Sequence, residues 1–273
     1  MKNLRGIIPA LLTPFTPDGK VNKKALRQLI DMNIRKRVSG FYSCGSSVMD
    51  EVNGRCAVIA HIGAISQNTA IELAMHAETM GVDAISSIPP FYYKFSFEEI
   101  KSYYYSIAEK VSVPIIIYNF PAFSGVTLTV EKVSQFLCDE RFIGVKHTSS
   151  DFYALNRFKK AYPKKLIFNG YDEMLLSGLA AGADGGIGST YNFMAEKYIR
   201  IWELFQEGRF EEARKIQTEV NDIIDILAKV GVMPGEKAIL TMMGLDFGEC
   251  RKPFKSISTE EYDMLKKAVG NLL

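Results

Sequence analysis

Short apolar runs, each closed by glycine, proline or a polar turn, alternate along this chain with longer stretches whose apolar positions repeat every three to four residues. The runs are Gly6 to Leu12, Gly40 to Ser43, Ala57 to His61, Ala84 to Ile88, Pro114 to Tyr118, Phe142 to Lys146, Leu166 to Asn169 and Gly185 to Gly188. Runs this short read as strands buried on both faces. The stretches between them carry helix-start signals, such as Ser66 before Gln67 to Met80, and Ser96 before Phe97 to Lys110 with Glu98 and Glu99 in its first turn. Eight such alternations predict an α/β fold, the (β/α)8 TIM barrel, with chemistry at the C-terminal strand ends. From Met194 onward the pattern is helical: Glu196 to Gln206, Phe210 to Val230, Gly235 to Met243 and Thr259 to Val269. Residues 1–193 are thus expected to form the barrel and 194–273 a helical bundle packed on it, in one structural unit.

One step of the repeat is short. The third run starts 17 residues after the second, and only nine residues, Val48 to Cys56, separate Ser47 from it. A right-handed crossover with its helix needs at least about 10–12. The second barrel helix is therefore predicted to be a stub or missing, leaving apolar surface on the second and third strands exposed.

The 273 residues are 47% hydrophobic and 23% charged with a formal net charge of +2. That balance gives no electrostatic case for nucleic acid or an anionic membrane surface. No apolar segment is long enough for a signal peptide or a membrane span. Cys44, Cys56, Cys138 and Cys250 are scattered, without paired spacing, which suits reduced thiols in a cytoplasmic protein. His61, His76 and His147 lack ligand spacing, so no metal site is expected.

Lys146 closes the run Phe142 to Lys146 and is followed at once by His147-Thr148-Ser149-Ser150. A lysine at the tip of a buried strand is desolvated yet open to a site, the setting of a Schiff-base amine; burial can lower such a pKa toward roughly 7–8. The plainer alternative is a strand-end lysine reaching solvent. Tyr118 ends the fifth run on the same face and is either a proton shuttle or barrel packing. Ser46 and Ser47 follow the second run, in a loop that is either a carboxylate-binding turn or an ordinary one. Asn169-Gly170-Tyr171-Asp172-Glu173 offers acceptors suited to a polyhydroxylated ligand, or two acids that cap the next helix. The glycine-rich stretch Gly182 to Thr190 lacks the lysine of a P-loop. Phe91-Tyr92-Tyr93 reads as loop packing, and Trp202 with the methionines as core.

In this order the pieces resemble the N-acetylneuraminate lyase and dihydrodipicolinate synthase superfamily of class I aldolases. The residues that carry the likeness are GSS at 45–47, PPFYYKFSFEE at 89–99, YNFPAFSGV at 118–126, GVKHTSSD at 144–151, FNGYDE at 168–173, GADGGIGSTYN at 182–192 and CRKPF at 250–254. Resemblance to the lyase branch implies a homotetrameric barrel that splits N-acetylneuraminate, a sialic acid, reversibly into pyruvate and N-acetylmannosamine without metal or organic cofactor. It implies that Lys146 forms the imine and Tyr118 relays protons near the substrate C4 hydroxyl. Ser46 and Ser47 then match the carboxylate-binding hydroxyls. Thr148, Gly170, Asp172, Glu173 and Ser189 match positions that hold the sugar chain, and Tyr92 the aromatic that completes an adjoining subunit's site.

Synthases of the superfamily that use aspartate semialdehyde carry an arginine in the loop after the tyrosine, a bidentate clamp for a second carboxylate. Here that loop reads Pro121-Ala122-Phe123-Ser124, which favours the sugar-acid branch over another pyruvate-dependent lyase or synthase. The chain departs from the family after Ser47, where roughly 20 residues, a loop and its helix, are absent. Such a loss loosens the loop bearing Ser46 and Ser47, so a catalytically impaired sugar-acid-binding form is a further alternative.

Overall fold

The computed structural model describes residues 2–270. Eight parallel strands, β1 (Gly6–Pro9), β2 (Gly40–Ser43), β3 (Ala57–His61), β4 (Ala84–Ser87), β5 (Ile115–Asn119), β6 (Phe142–His147), β7 (Leu166–Asn169) and β8 (Gly185–Gly188), pair in the order β1-β8-β7-β6-β5-β4-β3-β2. The ring closes through an isolated Ala10–Tyr42 bridge, with the Ser39 N–H donating to Ile7 O at 2.9 Å and the Leu11 N–H to Tyr42 O at 2.8 Å. The predicted (β/α)8 barrel is what forms. Ile8, Ile59, Ile116, Phe168 and Ile187 fill its interior.

Around it run α1 (Lys23–Arg35), α2 (Ser47–Val52), α3 (Gln67–Thr79), α4 (Phe97–Ala108), α5 (Pro121–Ser124), α6 (Val130–Leu137), α7 (Phe152–Ala161), α8 (Leu175–Ala180) and α9 (Tyr191–Gln206). Ser96 and Glu99 form the capping box that starts α4, whereas the Ser66 hydroxyl at α3 makes no cap hydrogen bond. α10 (Phe210–Val230), α11 (Val232–Met242) and α12 (Thr259–Val269) follow. α11 begins at Val232, ahead of the predicted Gly235, because Pro234 lies in a first turn whose N–H groups have no helical partner to lose. α9 begins at Tyr191 and bends at Met194, which leaves helical geometry. One apolar cluster joins Ile7, Leu29 and Leu175 to Ile201, Val220, Leu240 and Leu265, and so crosses the predicted division at residue 193.

The second crossover is the stub expected. α2 has six residues and stops at Asn53, whose left-handed φ of 45° ends the helix. Val48 and Val52 are buried against Phe41, Val58, Leu26 and Ile30. Glu51 pairs with Arg27 on α1, and Arg55 with Asp31. The exposure predicted for the second and third strands is therefore only partial, since the stub covers Phe41 and Val58, which are 0% and 2% exposed. What remains open is a small cavity of about 40 Å³ between α2 and α3, lined by Met49, Ala60, Ile62, Leu73, Ala77 and Met80 among others.

Candidate active site

β5 and β6 pair with Tyr118 opposite Lys146, and paired residues of parallel strands point to the same side of a sheet. Lys146 is 5% exposed. Its Nζ lies 3.9 Å from the Tyr118 ring centroid and 4.8 Å from that of Tyr42. Among the described residues this amine makes no hydrogen bond or ion pair, so it is free to meet a ligand carbonyl. His61 closes the third side, its ring 5.8 Å from Tyr42 and 6.0 Å from Tyr118. Burial, and then the Lys146 charge, push the His61 pKa down to about 4, which keeps the imidazole neutral beside the amine near pH 7.

Tyr42 belongs to this cage although its sequence context, an apolar strand, gave no sign of it. Its hydroxyl donates to Ser86 Oγ at 3.2 Å. Burial, then Tyr118, raise its pKa well above the usual phenol value. The next residue, Ser43, shapes the loop that follows: its Oγ accepts from the Gly45 N–H at 3.2 Å. That turn carries Ser46, which is exposed, to the start of α2 at Ser47. Both serines thus stand at the end of the strand that bears Tyr42.

Across the mouth, the buried Thr148 Oγ1 has no hydrogen-bond partner. The Gly170 N–H donates to His147 O at 2.9 Å, and a Cβ on Gly170 would collide with Thr148, so glycine is what lets the two strand ends meet. His147 is held by Asn119 Nδ2 at 2.8 Å and by the Asp151 carbonyl at 3.0 Å. It therefore braces the strand end rather than lining the pocket as a free base.

Asp172 and Glu173 differ sharply. Asp172 is buried and accepts from the Thr190 N–H at 2.8 Å and the Thr190 hydroxyl at 2.6 Å, tying the turn after β7 to the end of β8. Burial raises its pKa to about 6 against the lowering effect of those bonds. Glu173 is exposed. Both acids lie in the first turn of the short helix Asp172–Met174, as the alternative of acids that cap and charge it expects, although neither makes a side-chain cap hydrogen bond there. Ser189 follows β8 and is half-buried. Tyr92 stands apart, 72% exposed and edge-on to Tyr93.

A (β/α)8 barrel whose C-terminal mouth gathers a buried amine, phenols, hydroxyls and carboxyls defines a barrel enzyme working on a small molecule. Residues 3–48 and 46–272 match the model of the dihydrodipicolinate synthetase family. The chain belongs to that family. It is 42% identical to the N-acetylneuraminate lyase of Rhizobium meliloti over 99% of this chain and 96% of the relative. Among solved structures it superposes on a Clostridium difficile protein in complex with mannosamine with a TM-score of 0.96 at 36% identity, over 100% of both chains. The N-acetylneuraminate lyase of Fusobacterium nucleatum complexed with pyruvate gives 0.94 at 37%, over 99% of this chain and 97% of that one.

The two pieces of the family match meet at residues 46–48, where the crossover is short. The Rhizobium meliloti alignment runs over 288 residues against a chain of 273, so at least 15 positions, 288 less 273, face no residue here. The missing stretch inferred from strand spacing is thus a difference from relatives as well.

Proposed function

We propose that this chain is a class I aldolase that cleaves N-acetylneuraminate reversibly to pyruvate and N-acetylmannosamine. The observation that carries the reading is Lys146 Nζ, buried and free of any ion pair, facing the Tyr118 ring at the barrel mouth. The amine adds to the 2-keto carbon of the open-chain sugar acid and water leaves, giving a protonated imine that acts as electron sink. Tyr118 takes the proton of the C4 hydroxyl as the C3–C4 bond breaks, and N-acetylmannosamine departs as the aldehyde. The enamine then regains a proton at C3, and hydrolysis releases pyruvate and restores the amine.

In this reading Ser46 and Ser47 bind the carboxylate, and Thr148, Gly170, Glu173 and Ser189 face the hydroxyl chain, with Asp172 holding the Thr190 turn beside them. The orphaned Thr148 Oγ1 suits that role, since a buried hydroxyl without a partner is costly until a ligand supplies one. Four chains assemble, and the exposed Phe91, Tyr92 and Tyr93 pack at the contact, Tyr92 completing an adjoining site.

The loop after Tyr118 supports the sugar-acid branch. Pro121–Ser124 forms α5, with Phe123 70% exposed and its ring tilted against Phe120, and offers no guanidinium for a second carboxylate. Incubation with N-acetylneuraminate should yield equal amounts of pyruvate and N-acetylmannosamine, and pyruvate with aspartate semialdehyde should yield no condensation product. Condensation with the semialdehyde and no cleavage of the sugar acid would reverse the assignment. Thermal stabilisation by the sugar acid with no pyruvate released would indicate a binding protein.

A further inference from the structure

Tyr42 has no part in the chemistry above, yet its ring reaches the reacting nitrogen. Lys146 Nζ lies over two aromatic faces at once, 3.9 Å from the Tyr118 centroid and 4.8 Å from that of Tyr42. The two ring planes stand at 86° with their centroids 6.3 Å apart, so they make a corner and the nitrogen occupies it. Tyr42 is fixed there: it is buried, and its hydroxyl is anchored on Ser86 Oγ at 3.2 Å. The ionisable groups that face this nitrogen are Tyr42 from β2, Cys44 from the loop after it, His61 from β3, Tyr118 from β5 and Asp172 from the turn after β7. Asp172 is the one carboxyl among them; its Oδ2 takes both Thr190 hydrogens, and among the described residues no carboxylate pairs with Nζ. A cation on this nitrogen is thus met by aromatic faces, whose quadrupoles attract it most strongly where water is excluded.

Resting on the aldolase reading of Lys146, we propose that Tyr42 is a catalytic residue: with Tyr118 it forms a cation–π corner that holds the imine nitrogen in its protonated, electron-accepting form. The neutral amine adds to the 2-keto carbon; the carbinolamine hydroxyl takes up a proton and leaves as water, and the nitrogen, with its one hydrogen, carries the positive charge. Breaking C3–C4 sends that bond's electron pair through C2 to the charged nitrogen, and an imine that has lost its proton accepts the pair poorly. Ring faces attract the charge without taking up the nitrogen's hydrogen. His61 adds no repulsion, because its imidazole is neutral near pH 7. Tyr118 cannot reveal the ring's share by mutation alone, since its hydroxyl carries a proton in the same cycle; Tyr42 can.

Sodium cyanoborohydride, which reduces the protonated imine selectively, reads this state directly. Trapping of saturating pyruvate on Lys146 is followed by intact mass and peptide mapping from neutral to alkaline pH. Wild type is compared with Tyr42→Leu and with a series that places phenylalanine, and phenylalanines carrying one, two or three ring fluorines, at position 42. Fluorine weakens the ring's attraction for a cation stepwise at nearly constant volume, so the test stands whether or not Tyr42→Leu folds. The pH at which trapping is half lost should fall with each fluorine, by about one pH unit over the series, and by a similar amount in Tyr42→Leu; one unit is a tenfold loss of proton affinity, the scale of a desolvated cation–π contact. A half-point that stays in place across the series, or rises, overturns the role of Tyr42, while adducts on Lys146 leave the aldolase reading standing. A falling half-point in an enzyme that releases no pyruvate from N-acetylneuraminate supports the corner and faults the choice of substrate. No adduct in the wild type at any pH overturns both.

Discussion

Tyr118 faces Lys146 through its ring, and the proposed work of its hydroxyl separates from that of the ring by mutation. Tyr118→Phe keeps the ring over the amine, so a pyruvate imine should still form while kcat falls by about 10²–10⁴-fold, the usual worth of a placed proton carrier; an unchanged kcat would mean that the proton travels by another group. Gly170→Ala drives a methyl into Thr148 and should cost about 1–3 kcal/mol of stability, read as a lower urea midpoint, together with a raised KM for the sugar acid. That Lys146 and Tyr118 stand together at neighbouring strand ends was legible in the sequence because each closes a short apolar run. Tyr42 was not, since a tyrosine inside such a run looks the same whether it packs a barrel or faces an amine. Nor was the Asp172–Thr190 pairing, a contact between two strand ends that exists only once β7 and β8 lie side by side.

The short second crossover is the element where this chain and its relatives part. Six residues of α2 replace a full helix, and they suffice to bury Phe41 and Val58 because Val48 and Val52 fall on one face of the stub. Val52→Ala, at a position 1% exposed, should therefore cost about 2 kcal/mol by leaving a cavity, measurable by denaturant unfolding. A six-residue stub packs less surface than a complete helix, which predicts a looser hold on the loop of Ser46 and Ser47. Inserting the crossover segment of a relative between Ser47 and Val48 should fill the cavity beside α3, raise the melting temperature and improve kcat/KM by up to about 10²-fold, the scale of a 1 Å misplacement. An inserted form no faster than the parent would show that the stub already positions the serines. Strand spacing revealed the gap because barrel geometry fixes a minimum crossover length. How much of the wall stayed covered was not legible, since that depends on which face of α2 meets β2 and β3.

Across the whole molecule, buried titratable groups set opposing pH limits. The fold keeps Glu236, fully buried on α11, protonated up to about 8, whereas the unfolded chain releases that proton near 4.5; the native state holds more protons between these values, so stability falls as pH rises through them. Asp172, held at about 6, adds to this below that pH. His61 acts the other way: it is neutral in the fold down to about 4 and protonated in the unfolded chain below 6.5, so its contribution is lost as pH falls through that window. From about pH 6.5 to about 8 Glu236 is the one of the three still titrating. The wild-type melting temperature should decline over that range and the Glu236→Gln melting temperature should not. Fold class followed from the eightfold alternation in the sequence, whereas any assembly of chains depends on surfaces that periodicity does not reveal; the proposed tetramer predicts that light scattering gives four chains, dissociating when Tyr92 and Tyr93 become alanine. The account as a whole turns on whether the amine of Lys146 joins covalently to a keto acid. Borohydride reduction in the presence of pyruvate, read by intact mass and peptide mapping, should leave one reduced pyruvate adduct per chain, located on Lys146, and none on Lys146→Met; an unmodified chain, or an adduct on another lysine, would contradict it.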